Sequence, residues 1–298
     1  MIRCERATVE RCGRIVVEAV DLVVPAGQAT ALIGRSGAGK SSLLAAVATG
    51  LPLHAGDIVV DGRSVRREAE AVRRLIGYVP DRLPSWPGVR TDEFLELFAA
   101  AAGLRGRDLE AAVGKAVEMA GLAADRRAPI DDLSAGHGKR LLLGRALLHD
   151  PQVLLLDDPF GGLDPLERRD VQRVIGDAHL MGRTVLAAVD DAAVPPCFTQ
   201  LAVVSEGRIV ASGPLEPEAF AAGRRWECAI ECRGAADAAA RVLGPILGDA
   251  RAIDGDTVTF TLAAAKPSLT DALAAVVQAG IAVQRAGFDP PWTAQLLR

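Results

Sequence analysis

The stretch Gly34-Arg35-Ser36-Gly37-Ala38-Gly39-Lys40-Ser41 fits the pattern G-x-x-x-x-G-K-[ST] at every fixed position. Its chemistry is phosphate binding. Glycines let the backbone curl so that successive N–H groups point at one anion. A helix opening at the end of the loop adds partial positive charge. Lys40 reaches the outer phosphates of a nucleoside triphosphate, and the hydroxyl of Ser41, with Ser42 beside it, suits Mg²⁺. Asp157 closes the apolar run Val153-Leu154-Leu155-Leu156. At the carboxyl end of a buried parallel strand it lies where such sheets take ligands, and there it would hold Mg²⁺.

The elements around these residues must bring them together. Residues 1–30 read as antiparallel strands, with Val16, Val17, Val20, Leu22 and Val24 as strand formers and Pro25-Ala26-Gly27 as a turn. Ala29–Ile33 is a short apolar strand running into the glycine loop, and Ser42–Thr49 a helix stopped by Gly50 and Pro52. Asp57–Val60 and Leu75–Val79 are strands. Thr91 is the expected N-cap of a helix with apolar residues Phe94, Leu97, Phe98 and Ala101, ending at Gly103. Asp108–Ala120 repeats the stripe with Leu109, Ala112, Val113, Ala116 and Val117, and Leu133–Leu148 is a further helix. Val153–Leu156, Thr184–Val189 and Leu201–Val204 are apolar runs expected of strands covered on both faces. Strands alternating with helices predict an α/β fold around a mostly parallel sheet.

From about residue 226 the pattern changes. Cys228–Glu231 is a strand, Ala235–Leu243 a helix ended by Gly244-Pro245, and Ala250–Ile253 and Thr257–Leu262 are strands flanking an Asp254-Gly255-Asp256 turn. Ser268–Ala279 is a helix and Ile281–Phe288 a last strand. The order βαββαβ predicts a small α+β domain over 226–298, joined through Gly213–Gly223.

The 298 residues are 50% apolar and 24% charged, a globular composition. A net charge of −4 gives no electrostatic footprint for nucleic acid, so no nucleic-acid partner is expected. Arg66-Arg67 and Arg73-Arg74 read as solvated helix faces, and His137 and His149 as surface residues. The five cysteines, Cys4, Cys12, Cys197, Cys228 and Cys232, are odd in number and scattered, as in a reducing compartment without disulfides or zinc. The first residues carry no apolar signal stretch, and no apolar run approaches the ~20 residues of a membrane helix. Service at a membrane would need other subunits to span it.

Between the phosphate loop and Asp157 lies Leu133-Ser134-Ala135-Gly136-His137-Gly138-Lys139-Arg140, which resembles the LSGGQ signature of the ATP-binding cassette family. Gly162-Leu163-Asp164-Pro165 resembles the family's D-loop, and Asp157 its Walker B Asp. Loop, signature, Walker B and D-loop stand in the family's order. The resemblance implies a P-loop NTPase fold with antiparallel β and helical subdomains, an ATP-binding domain over 1–215 and its helical subdomain over about 85–135. It implies Mg·ATP as ligand and a second cassette subunit, identical or different, whose ATP would meet Ser134 and Gly136. It implies integral membrane permease subunits touched by the insert between Tyr78 and Leu133, and a cytoplasmic place on the inner face of the membrane. The C-terminal piece resembles the accessory domain of an export branch that includes drug-efflux and gliding-motility subunits.

Four positions depart from the family pattern. Asp158 stands where a Glu positions the attacking water, and retracts its carboxylate by one methylene; a shift of about 1 Å can cost on the order of 10²-fold in rate. Asp190 stands where the switch His is expected. Asp81 replaces the Gln after Tyr78-Val79-Pro80 and adds a carboxylate near the metal site. No aromatic to stack on adenine stands near Cys12 or anywhere before the loop. Two functions stay open: a slow ATPase subunit of an exporter, with Asp158 and Asp190 as its catalytic positions, or a regulatory module that binds ATP and hardly hydrolyses it.

Overall fold

Alternating apolar residues build the first sheet. β1 (Ile2–Arg11) and β2 (Arg14–Val24) form a hairpin that buries Ile2, Cys4, Val9, Val20, Leu22 and Val24. The computed structural model describes residues 1–189, 195, 197–214, 226–248, 250–252, 255–262 and 269–289. β3 (Ala29–Ile33) is buried throughout and leads through the glycine loop into α1 (Lys40–Val47). β4 (Ala55–Val60) and β5 (Arg63–Ser64) complete an antiparallel sheet in the order β2-β1-β4-β5. α2 (Ala69–Leu75) then precedes β6 (Ile76–Val79). Arg73 and Arg74 lie on α2 as expected, whereas Arg66 and Arg67 lie in the turn before it.

Three helices follow: α3 (Thr91–Ala101), α4 (Gly106–Met119) and α5 (Ala135–Leu147). They pack on one another. Thr91 is not the cap of α3. Arg90 holds that position, its N–H donating to Glu93 Oε2 at 3.0 Å, while the Thr91 hydroxyl turns inward to Ala128 O at 3.1 Å. The buried face also differs. Phe94, Leu95 and Ala99 are covered, whereas Leu97 is 52% exposed, because α3 uses the side that meets both α4 and α5. Trp86 stacks on Phe98 at 6.0 Å between centroids, and the Arg145 guanidinium lies over the same ring.

β7 (Val153–Asp157), α6 (Pro165–Leu180), β8 (Thr184–Val189), β9 (Gln200–Ser205) and β10 (Arg208–Pro214) complete a six-stranded sheet ordered β10-β9-β3-β8-β7-β6. All its pairs are parallel except β10 with β9. β3, β7 and β8 are buried at every residue, and their registers place Ile33 beside Val189 and Asp157 beside Ala188. The loop after β3 and the Asp ending β7 therefore open on the same edge.

The C-terminal elements are β11 (Trp226–Glu231), α7 (Ala236–Leu247), β12 (Arg251–Ala252), β13 (Thr257–Leu262), α8 (Leu269–Gln278) and β14 (Arg285–Asp289). Their sheet, β12-β13-β11-β14, is antiparallel throughout. α7 runs through Gly244 and Pro245 and stops at Gly248, whose φ of 78° ends it. Its apolar face, with Ala239 and Leu243 buried, outweighs the hydrogen bond that Pro245 removes. α8 lies beside β9 and β14 beside β10. Most of the expected 213–223 linker, with Ile253, Asp254 and Ser268, lies outside the described residues.

Candidate functional site

The phosphate loop is shaped by its neighbours. A Cβ on Gly34 would overlap the carbonyl oxygen of Val204, and one on Gly39 that of Val16, so both positions admit only glycine. Gly37 and Gly39 have φ of 82° and 104°. α1 begins at Lys40, two residues earlier than expected, so that its free N–H groups open directly into the loop. Lys40 is buried and its Nζ donates to Gly34 O at 2.7 Å and Arg35 O at 3.0 Å, across the mouth that phosphates would enter. Arg35 rests against Gly280, just past α8, and 35–38 share a cavity of about 150 Å³ with that corner.

The Ser41 hydroxyl donates to Asp157 Oδ1 at 2.8 Å. Burial pushes the Asp157 carboxyl up from its ordinary value; the Ser41 hydrogen bond pulls it back and the nearby Asp81 charge pushes it further. A buried anion with a hydroxyl in contact is a hard-oxygen pair fit for Mg²⁺. Among the described residues no three or more His, Cys, Asp or Glu side chains converge as a metal cluster.

Asp158 has φ of 42°, the left-handed region. Its N–H donates to Ala188 O at 3.0 Å, and its carboxylate lies against Gly161, where any Cβ would collide with Oδ2. Its carbonyl accepts from Lys139 Nζ at 2.5 Å. Lys139 is buried in α5 and also meets Asp81 Oδ1 at 3.4 Å, while Arg82 Nε lies 3.5 Å from Asp81 Oδ2.

Ser134 caps α5, its hydroxyl accepting from His137 N–H at 3.1 Å and donating to Glu167 Oε1 at 3.2 Å. Gly136 lies directly against the Glu167 carboxylate, so that a Cβ there would push that side chain aside. Asp164 caps α6, accepting from the Leu166 and Glu167 N–H groups at 2.8 Å. Glu167 thus bridges two helix starts.

The structure brings Gly34–Ser42, Asp81, Asp157 and Asp158 to one sheet edge. Ser134 and Gly136 stand apart at the start of α5, joined to α6. Asp190 lies outside the described residues. Cys12 is exposed at the β1–β2 turn. His149, expected at the surface, is half-buried with Nε2 3.1 Å from Ile76 O. Burial pushes the Cys4 and Cys197 thiols up to about 12. Nothing in the sequence marks Glu167, and apart from its place in the signature stretch Lys139 is marked only as a cation on an otherwise apolar helix face.

The profile of the ABC transporter family matches residues 17–161. Over 214 residues the chain is 36% identical to the aliphatic sulfonates import ATP-binding protein SsuB 2 of Pseudomonas aeruginosa, covering 71% of this chain and 74% of that protein. It is 35% identical over 204 residues to the sulfate/thiosulfate import ATP-binding protein CysA of Mycolicibacterium paratuberculosis, and there the match spans 65% of this chain but 54% of the relative. Among solved structures, the dimeric structure of MJ0796, a bacterial ABC transporter cassette, superposes with a TM-score of 0.67 at 22% identity, covering 72% of this chain and 99% of that one.

Proposed function

We propose, from the premise that this chain belongs to the ABC transporter ATP-binding proteins, that it binds Mg·ATP through Gly34–Ser42 and turns binding and slow hydrolysis into movement of separate membrane subunits. One observation carries the reading: a complete phosphate loop whose Ser41 hydroxyl is already docked on the Asp157 carboxylate at 2.8 Å.

The loop N–H groups and the start of α1 would receive the β-phosphate. Lys40, now bonded to loop carbonyls, would exchange them for phosphate oxygens at little cost. Ser41 and Asp157 would hold Mg²⁺, which when bound neutralises charge on the phosphates. Asp158 would orient a water toward the γ-phosphorus. The water oxygen bonds to phosphorus as its proton passes toward the Asp158 carboxylate, the bond to the bridging oxygen breaks, and ADP leaves with inorganic phosphate.

We assign 1–215 to the ATP-binding unit, with the helical segment at about 85–135 meeting permease subunits, and 226–298 to an accessory unit. A second cassette, a copy or a homologue, would present its Ser134 and Gly136 to the ATP. No helix among the described residues is long and apolar enough to cross a membrane. The proposed place is the cytoplasmic face of one, and no nucleic acid is involved. The export assignment rests on the likeness of the C-terminal unit to export-branch accessory domains; SsuB and CysA carry import in their names. Transport in vesicles with the permease decides the direction.

The test of the site is calorimetry with Mg·ATP. Wild-type protein should bind and Lys40→Ala should not; equal affinities would remove the assignment. A second reading, a regulatory module that binds without turnover, is favoured by the Asp158 carboxylate lying against Gly161 rather than standing clear of its own turn. Steady-state phosphate release separates the two.

A further inference from the structure

We propose that Lys139 is a positioning residue for the hydrolytic edge of this site, working as one unit with Asp81; the proposal rests on the reading of the site as a Mg·ATP site.

Lys139 is only 7% exposed, although an ammonium buried without partners is strongly unfavourable. Its partners explain its place. Nζ donates to the Asp158 carbonyl at 2.5 Å and faces Asp81 Oδ1 at 3.4 Å. These partners come from two different strand ends, Asp81 after β6 and Asp158 after β7. The cation itself comes from α5, five residues after the Ser134 cap. One ammonium therefore ties the helix carrying the signature motif to both carboxylate positions.

Two physical consequences follow. Asp158 bears its side chain in the left-handed region, which among L residues mainly Asn and Asp enter. A charge-assisted hydrogen bond on its carbonyl fixes the peptide plane after it and so the direction in which the carboxylate leaves the backbone. Three carboxylates, Asp81, Asp157 and Asp158, also crowd one edge that must admit a triphosphate. Lys139 Nζ, 3.4 Å from Asp81 Oδ1, offsets the extra anion that Asp81 brings. Asp81 is then a partner of Lys139 first and a metal neighbour second.

The experiment uses the full chain with ATP and Mn²⁺ as the metal probe. Mn²⁺ affinity of the ATP complex is read by electron paramagnetic resonance, and kcat and KM for Mg·ATP by phosphate release. Lys139→Gln is expected to lower kcat by about ten- to a hundredfold, the scale of an ångström misplacement, and to tighten Mn²⁺ several-fold because Asp81 loses its cation. Adding Asp81→Asn should return Mn²⁺ affinity to the wild-type value while kcat stays low, since the Asp158 carbonyl still lacks its charged donor, the Gln amide being neutral and one bond shorter. Lys139→Arg keeps the charge and should keep the wild-type Mn²⁺ affinity. A Lys139→Gln protein that only melts earlier, with Mn²⁺ affinity and kcat unchanged, overturns the proposal. If Lys139→Gln does not fold, the half-exposed Asp81 carries the test alone. Asp81→Asn should then weaken Mn²⁺ several-fold at an unchanged melting temperature, and no weakening overturns the proposal. Wild-type protein that binds neither ATP nor Mn·ATP would instead defeat the underlying reading of the site, and the proposal with it.

Discussion

The Ser134 hydroxyl donates to the Glu167 carboxylate across 3.2 Å, placing an anion at the start of α5 where a γ-phosphate from a second subunit's ATP would arrive. The other carboxylate oxygen accepts from Asp164 N–H at 3.2 Å, so Glu167 also serves α6. Helix N-termini favour anions, and here two compete for one. Glu167→Gln keeps an acceptor for Asp164 and removes the charge. ATP-driven self-association, followed by sedimentation, should tighten several-fold to about tenfold, a gain of up to ~1.4 kcal/mol. Weaker or unchanged association would show that Glu167 does not stand in the phosphate's way.

Base selectivity should be poor. No aromatic precedes the phosphate loop, and the β1–β2 turn offers the exposed Cys12 thiol instead. Stacking contributes about 1–3 kcal/mol per base in nucleic-acid binders, and without it phosphate contacts dominate. ATP and GTP should bind within about tenfold of each other, a gap under ~1.4 kcal/mol. A competition titration giving roughly a hundredfold preference for ATP would mean that another side chain reads the base.

The parts legible in the sequence are those where one local pattern has one meaning. β3, β7 and β8 stand out because strands covered on both faces must be apolar throughout. The phosphate loop is legible because its glycines answer to sterics within a few residues. The buried face of α3 is not. Phe94, Leu97, Phe98, Ala101 and Phe94, Leu95, Phe98, Ala99 fit helical spacing equally, and only packing against α4 and α5 selects the second. The run of α7 through Pro245 is hidden likewise, since a tertiary face overrides a local breaker. Lys139 with Asp81 and Ser134 with Glu167 are pairs 58 and 33 residues apart, and no spacing rule joins them.

His149 makes stability fall on acidification. Burial lowers its pKa below the ordinary 6.5, only partly opposed by the hydrogen bond to Ile76 O. Below about pH 6.5 the unfolded chain takes up a proton that the folded chain refuses, so stability is full above that pH and declines as pH drops toward the folded value. The slope from this group is at most ~1.4 kcal/mol per pH unit. Urea midpoints between about pH 7.5 and about pH 5.5 should fall more steeply for wild type than for His149→Gln. Parallel curves would mean that His149 titrates alike in both states.

Catalysis is the sharpest test. Asp158 is one methylene shorter than the Glu of the family pattern, and its carboxylate rests on Gly161 of its own turn. The backbone cannot relax to extend it, because φ of 42°, the hydrogen bond to Ala188 O and the Lys139 contact hold residue 158 from three sides. The side chain is therefore the adjustable part. Asp158→Glu should raise hydrolysis by carrying the carboxylate beyond Gly161 toward the water. Asp190→His, replacing an anion with a donor at the proposed switch position, should raise it further. The distance penalty predicts roughly ten- to a hundredfold for the pair. The measurement is steady-state phosphate release at saturating Mg·ATP, with and without the membrane partner. A double variant no faster than wild type in both settings would show that these residues do not limit the rate. A wild-type turnover near ~10 s⁻¹, ordinary for an enzyme, would show that water already reaches Asp158 where it stands.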